Sequence, residues 1–222
     1  MKNHIYYYTY ILMFSIIIMA CHSKDENKNQ TSPNVLLIMT DDQGWGDLSF
    51  HGNDSISTPH IDALAKRSIQ FERFFVSPVC APTRASLLTG RYHLRTGTSW
   101  VTHRKEVMRA DELTIAEIFK SAGYATGLFG KWHNGEQYPH NPIGQGFDEF
   151  FGFAAGHWNN YFNTTLTDNQ KEVKTDGFII DVLTDKAIQF IEKNSSKENQ
   201  KPFLCYLPVS YTHLTLPTIC SV

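Results

Sequence analysis

Short apolar runs alternate with amphipathic segments along the middle of the chain. The first run, residues 35–39 (VLLIM), suits a strand that is buried on both faces. Further strands are predicted at residues 71–76, 124–129 and 202–207. Strands that alternate with helices indicate an α/β fold with a mainly parallel sheet flanked by helices. Such sheets place their chemistry at the carboxyl ends of the strands.

Three amphipathic segments predict the helices between these strands. Thr58 and Pro59 open the first helix, because proline is favoured at the first helical position. Residues 113–122 predict the second, and Gly123 follows as a residue that suits a left-handed helix end. Residues 181–193 repeat apolar side chains at helical spacing and predict the last helix. No internal repeat is visible, so we assign these elements to one α/β domain, residues 33–208.

The N-terminal segment does not follow this alternation. Residues 1–20 combine a basic start with an apolar run, which is typical of a secretory signal peptide. The run ends in IMAC, which resembles the bacterial lipobox, so Cys21 is predicted to receive a lipid anchor. A plain signal peptide or an uncleaved anchor is the alternative. Residues 21–32 are polar and are predicted to be a tether. We therefore expect an exported lipoprotein, anchored in a membrane in the periplasm or at the cell surface.

The C-terminal segment, residues 209–222, resembles a translated sequencing adapter. We therefore exclude it from the fold prediction and do not count its His213 as a site residue. The alternative is a genuine strand end. If the segment is an adapter, residues 33–208 are the N-terminal part of a longer domain, and we expect this part to be inactive by itself.

Composition narrows the classes of function. The 222 residues carry 20 Lys and Arg against 22 Asp and Glu, a net charge of −2, which argues against a broad nucleic-acid-binding face. A hydrophobic content of 41% excludes wholesale disorder. The four cysteines are too few for a disulfide scaffold and show no C-x-x-C spacing.

Asp41 and Asp42 directly follow the first predicted strand. Two adjacent carboxylates repel each other, and a divalent cation would offset that repulsion. Oxygen ligands favour Ca²⁺ or Mg²⁺ over softer metals. An exposed acidic turn is the alternative interpretation of the same residues.

Two further clusters carry groups that could do chemistry. Cys80 and Arg84 lie in the string CAPTR, where the thiol could act as a nucleophile or be a buried structural cysteine. Lys131 could hold an anion, and His133 could move a proton near neutral pH. In a strand these last two side chains would face the same way. A solvated strand end is the alternative.

The string of residues 80–90, CAPTRASLLTG, resembles the signature of the sulfatase family, in its arylsulfatase-like branch. The agreement is collinear over residues 33–208, and Thr83 replaces the commoner serine. The resemblance implies an alkaline-phosphatase-like α/β sandwich. It also implies a sulfuric ester hydrolase that cleaves a glycan or aryl sulfate.

The resemblance further implies that a formylglycine-generating maturation enzyme converts Cys80 to Cα-formylglycine. In that family one hydroxyl of the hydrated aldehyde attacks sulfur and expels the alcohol. The other then loses a proton, so that the aldehyde re-forms and sulfate leaves. By the same resemblance, Asp41, Asp42 and the modified Cys80 bind the metal, which is Ca²⁺ or, as a second choice, Mg²⁺.

The remaining roles also come from the resemblance. Arg84 steadies the diol and the metal-binding carboxylates, Lys131 binds sulfate oxygens, and His133 is the candidate for taking the diol proton. The family's second metal-binding pair and second lysine have no counterpart here. Two alternatives stay open: a phosphatase or phosphonate monoester hydrolase of the same superfamily, and an inactive truncated surface lipoprotein.

Overall fold

The computed structural model describes residues 32–196 and 200–209. The predictions for the signal peptide, for Cys21 and for His213 lie outside the described residues. The fold below is that of the compact unit that begins at Pro33. Within the described ranges, no helix has both the length and the apolar character needed to cross a membrane.

A six-stranded sheet in the order β1-β6-β2-β3-β4-β5 forms the centre of this unit. Its strands are β1 (Val35–Met39), β2 (Ala125–Lys131), β3 (Glu149–Phe153), β4 (Thr165–Asp168), β5 (Lys171–Lys174) and β6 (Phe203–Pro208). The pairs β1–β6, β6–β2 and β2–β3 are parallel, whereas β3–β4 and β4–β5 are antiparallel. The predicted mainly parallel sheet is therefore confirmed.

Four α-helices accompany the sheet in the part of the chain that the structure describes. They are α1 (Pro59–Ala65), α2 (Cys80–Thr89), α3 (Ile115–Ser121) and α4 (Ile179–Ser195). Local sequence explains their ends. Thr114 caps α3, because its hydroxyl accepts a hydrogen bond from the Glu117 N–H while the Glu117 carboxylate accepts one from the Thr114 N–H. Gly90 ends α2 in the left-handed conformation, with a φ of 64°.

The helices cover both faces of the sheet and bury a core on each. Alternate residues of β2 and β6 point to opposite faces, so Phe129 and Cys205 join the core beneath α4, whereas Leu128 and Tyr206 join the core beneath α2 and α3. Phe190 of α4 lies 5.3 Å from Phe129 between ring centroids. Truncation of such a buried ring to alanine costs about 3–5 kcal/mol. The two cores hold the carboxyl ends of the parallel strands in place.

Two sequence predictions are wrong. Residues 71–76 form no strand, and the side chains of Phe71 and Phe75 are 74% and 87% exposed. No described strand pairs with this segment, and an apolar run becomes a strand only where a neighbour pairs with it. The first strand is not buried on both faces, since Leu36 and Ile38 are exposed where β1 forms an edge of the described sheet.

Candidate active site

The carboxyl ends of β1 and β2 and the first residue of α2 meet at a cavity of about 540 Å³. Asp41 and Asp42 follow β1, Lys131 ends β2, and Cys80 begins α2. The cavity is lined by Asp41, Asp42, Cys80, Val101, Thr102, His103, Glu106, Lys131, His133, Gly135, Glu136, Ala154, Gly156 and His157. The structure thus brings together five of the six residues that sequence analysis proposed for the catalytic and metal sites, and the sixth, Arg84, is buried next to them.

Asp41 lies in a buried cluster with two cationic side chains. Its Oδ1 accepts a hydrogen bond from Arg84 Nη2 at 3.1 Å, and its Oδ2 accepts one from Lys131 Nζ at 2.6 Å. Arg84 Nη1 also donates to the Lys131 carbonyl at 2.9 Å. Burial opposes ionisation of Asp41, but the two cations outweigh it and hold the pKa of this carboxyl below its usual value. The cluster fixes the positions of all three side chains.

Cys80 and His133 form a second pair. Cys80 Sγ lies 3.1 Å from His133 Nδ1, and His133 Nε2 lies 2.9 Å from the Val101 carbonyl oxygen. A carbonyl can only accept, so the ring hydrogen is on Nε2 and Nδ1 is free to accept from the thiol. Burial lowers the pKa of His133, and the nearby Lys131 and Arg84 charges lower it further. A neutral imidazole therefore presents an accepting nitrogen to residue 80.

The path of the chain at His133 differs from the sequence prediction. The strand ends at Lys131, and His133 has a left-handed backbone with a φ of 65°. Lys131 and His133 line the same cavity because the chain turns after the strand, and not because both lie on one face of a strand. Arg84 is engaged with Asp41 and the Lys131 carbonyl, and the polar partner of the Cys80 thiol is His133.

Backbone strain is concentrated at this cavity. Six non-glycine residues have positive φ in the part of the chain that the structure describes, and three of them line the cavity. These three are Asp42, His103 and His133, with φ values of 56°, 58° and 65°. Non-glycine residues adopt this conformation at an energetic cost, which is typical of functional sites.

Asn134, which no sequence motif singled out, joins three parts of the site. Its side chain is fully buried, and its Nδ2 donates to the Ala81 carbonyl at 3.1 Å and to the Glu106 carbonyl at 3.2 Å. Ala81 follows Cys80 in α2, and Asn134 itself follows His133. The one sequence signal was this position, a polar residue directly after the histidine.

Gly156 was also missed, and its role is steric. A Cβ atom at this position would overlap the His133 ring. The His133 ring has no room to withdraw without losing its contacts with Val101 and Cys80. Only glycine therefore fits beside the histidine in this arrangement.

The donors at the cavity suit a hard divalent cation in kind but not in number. Asp41 and Asp42 offer carboxylate oxygens, which Ca²⁺ and Mg²⁺ prefer. Calcium takes roughly six to eight oxygen ligands. The described residues contain no group of three or more His, Cys, Asp or Glu side chains that could hold a metal ion. The two aspartates are therefore a partial ligand set.

The site lies at the carboxyl ends of parallel strands in an α/β sandwich. It combines a candidate nucleophile, a neutral histidine and buried cations, which is typical of a hydrolase. Comparison with known proteins identifies the class. The model of the Sulfatase family matches residues 33–219, so the chain belongs to the sulfatase family. The fold is the alkaline-phosphatase-like sandwich of sulfatases, as the resemblance implied.

Named relatives agree with this assignment. The N-acetylgalactosamine-6-sulfatase of Canis lupus familiaris is 32% identical over 210 residues, which cover 82% of this chain and 40% of that protein. Arylsulfatase G of Rattus norvegicus is 31% identical over 225 residues, which cover 83% of this chain and 42% of that protein. The chain thus spans about two fifths of the length of these relatives.

Solved structures match in the same way. The structure of Ps i-CgsB in complex with k-i-k-neocarrahexaose has a TM-score of 0.73 and 33% identity, covering 82% of this chain and 46% of that one. The structure of BT4656 in complex with its substrate D-glucosamine-2-N,6-O-disulfate has a TM-score of 0.67 and 28% identity, covering 79% of this chain and 34% of that one.

Proposed function

We propose that the whole protein hydrolyses sulfate esters and that a formylglycine made from Cys80 is its nucleophile. The observation that carries this proposal is the 3.1 Å contact between Cys80 Sγ and His133 Nδ1 in a cavity that Lys131 also lines. Membership of the sulfatase family supports it. The comparisons give no such support to the phosphate and phosphonate esters that the sequence left open.

The side chains of the cavity divide the work. A hydrated formylglycine would supply one hydroxyl that attacks sulfur and displaces the substrate alcohol, and a second whose deprotonation would re-form the aldehyde and release sulfate. His133 accepts the proton at Nδ1, because its Nε2 hydrogen is committed to the Val101 carbonyl. Lys131 stabilises negative charge on the sulfate oxygens. Arg84 acts through Asp41 and is a positioning residue.

We also propose that Asp41, Asp42 and the modified residue 80 hold Ca²⁺, with Mg²⁺ as the second choice. A bound cation would offset the negative charge of the sulfate group. Because two carboxylates supply only part of a calcium shell, residues 33–208 alone should bind the ion weakly and should not hydrolyse sulfate esters at the rate of the whole protein.

The substrate is proposed to be a sulfated glycan or an aryl sulfate. The relatives named above are called an N-acetylgalactosamine-6-sulfatase and an arylsulfatase, and the matched structures hold k-i-k-neocarrahexaose and D-glucosamine-2-N,6-O-disulfate. A formylglycine-generating maturation enzyme is the proposed partner in synthesis. We propose no nucleic-acid partner.

Lipid attachment at Cys21 and export to the periplasm or cell surface remain proposals from the sequence. The test is Cys21→Ser, which should release the protein from membranes. Persistent membrane association of the variant would mean that the apolar run is an ordinary anchor.

The central experiment uses the whole protein made together with a maturation enzyme. Peptide mass spectrometry should find formylglycine at residue 80, and Cys80→Ala should abolish hydrolysis of sulfate esters while the protein still unfolds cooperatively. Cys205→Ala is the matched control, because Cys205 lies in the core and burial raises the pKa of its thiol to about 12. Full turnover by protein that carries an unmodified Cys80 would disprove the proposal.

A further inference from the structure

Polar side chains form most of the cavity wall that the proposed chemistry does not use. These wall residues are Thr102, His103, Glu106, Glu136 and His157. The other wall residues outside the catalytic groups are two apolar residues, Val101 and Ala154, and two glycines. About half of the cavity surface is polar, so a hydroxylated ring would find several hydrogen-bonding groups here.

The loop of residues 99–107 carries four of the cavity-lining residues and is tied to the catalytic strand end. The Val101 carbonyl accepts a hydrogen bond from His133 Nε2 at 2.9 Å. The Glu106 carbonyl accepts one from the buried Asn134 side chain at 3.2 Å. The loop backbone is thus held in register with the catalytic groups, which keeps its side chains beside the cavity.

Glu106 has an unusual environment within this loop. Its Oε2 is buried and has no hydrogen-bond partner among the residues that the structure describes. No arginine or lysine in the described ranges forms an ion pair with it. A buried carboxylate oxygen without a donor is unfavourable. Because Oε2 has no accessible surface, a ligand donor would reach it when the Glu106 side chain turns toward the cavity that it lines.

We infer that Glu106 is a specificity-determining residue whose carboxylate accepts a hydrogen bond from a hydroxyl or acylamino N–H of a sugar that carries the sulfate ester. The inference rests on the proposed function, in which the sulfate group lies at Lys131 and residue 80. Glu106 would favour a sugar sulfate over an aryl sulfate, because a simple aryl group carries no hydrogen-bond donor. The negative charge of Glu106 also disfavours a second sulfate beside it.

The first test measures kcat/KM for a panel of monosulfated galactose and N-acetylhexosamine sugars and for 4-nitrophenyl sulfate. Glu106→Gln keeps an accepting oxygen but loses the charge, and it should lower the ratio of the best sugar value to the aryl value by about fivefold to tenfold. Glu106→Ala should lower the ratio at least as far. Glu172→Gln, an exposed carboxylate on β5 outside the cavity, is the matched control and should keep the wild-type ratio. A ratio that stays within about twofold of wild type in both Glu106 variants would overturn the inference.

The second test measures binding without turnover, so that it does not depend on hydrolysis. Saturation-transfer NMR on the Cys80→Ala protein should detect the best sugar sulfate of the panel, and adding Glu106→Gln should weaken its binding by a similar factor. Binding that is equal in the two proteins, or absent for every sugar of the panel, overturns the inference. If the wild type hydrolyses neither kind of ester but sugar binding depends on Glu106, the proposed function fails and the role of Glu106 stands.

Discussion

Asn134→Leu tests whether Asn134 holds Cys80 and His133 together. The Asn134 side chain forms no hydrogen bond with either residue, so its effect on them would be indirect. The Asn134 amide links the Ala81 carbonyl, next to Cys80, to the Glu106 carbonyl in the cavity wall. Leucine has nearly the same shape but cannot donate. The substitution therefore removes two ties between α2, the strand end and the loop, without opening a cavity.

The expected loss of stability is about 2 kcal/mol. Two buried hydrogen bonds contribute about 1 kcal/mol each, and the Glu106 carbonyl keeps no other donor among the described residues, at a further cost of about 1 kcal/mol. Asn134 Oδ1 is itself buried without a partner, so its removal returns about 1 kcal/mol. Urea unfolding measures the balance, and the exposed Asn159→Leu is the matched control.

Loss of stability alone would not show a positioning role, so a second measurement follows the Cys80–His133 contact. Protein made without a maturation enzyme keeps the Cys80 thiol, and its alkylation by iodoacetamide can be followed by peptide mass spectrometry. Cys205 is an unreactive internal reference, since burial raises the pKa of its thiol to about 12. His133→Ala should change the Cys80 alkylation rate in the wild type and much less in the Asn134→Leu protein, a coupling that a double-mutant cycle detects. Additive effects of the two substitutions would refute the positioning role, whatever the loss of stability.

Three further predictions follow from the same contacts. Asp41→Asn leaves the buried Arg84 and Lys131 charges without their anion and should lower the unfolding free energy by about 3–5 kcal/mol in urea; a loss below about 1 kcal/mol would contradict the cluster as described. Folding lowers the pKa of Asp41, so the ionised carboxylate stabilises the fold above about pH 3.9, and this stabilisation is lost as the pH falls through the folded-state pKa. Asp41→Asn lacks this stabilisation and should therefore unfold in acid at a higher pH than the wild type. Gly156→Ala should displace the His133 ring and lower kcat while unfolding stays cooperative, and an unmoved ring in a crystal structure of the variant would disprove the steric argument. Lys131→Met should raise the pKa of His133 in an NMR titration, since the lysine charge lowers that pKa now, and an unchanged midpoint would count against this charge interaction.

Sequence pattern alone predicted three of the six described strands and three of the four described α-helices. Buried parallel strands are apolar along their whole length, so β1, β2 and β6 were located within one or two residues. The Pro59 start and the Gly123 end bounded two helices for local reasons. Strand β3, helix α2 and the β4–β5 hairpin were missed. The hairpin strands have only four residues each and mixed polarity, which is too weak a pattern to detect.

The residue types in the motifs also carried their chemistry before any fold was known. A cysteine in C-x-P-x-R, paired aspartates after an apolar run and a lysine two residues before a histidine are local strings, and each limits what its side chains can do. Their resemblance to the sulfatase family implied that Asp41, Cys80, Lys131 and His133 belong to one site, and the structure places all four on one cavity.

Only the tertiary structure decided which groups meet. Asp41 and Lys131 are 90 positions apart, and their 2.6 Å contact depends on β6 lying between β1 and β2. The site also depends on the carbonyl of Val101, the side-chain amide of Asn134 and the absence of a side chain at Gly156. No sequence pattern marks any of these three positions. Residues 71–76 show the converse, because an apolar run stays irregular where no strand pairs with it. Sequence determines the chemistry that each position can offer, but pairing, close approach and the direction of a hydrogen bond depend on distant segments that only the folded chain brings together.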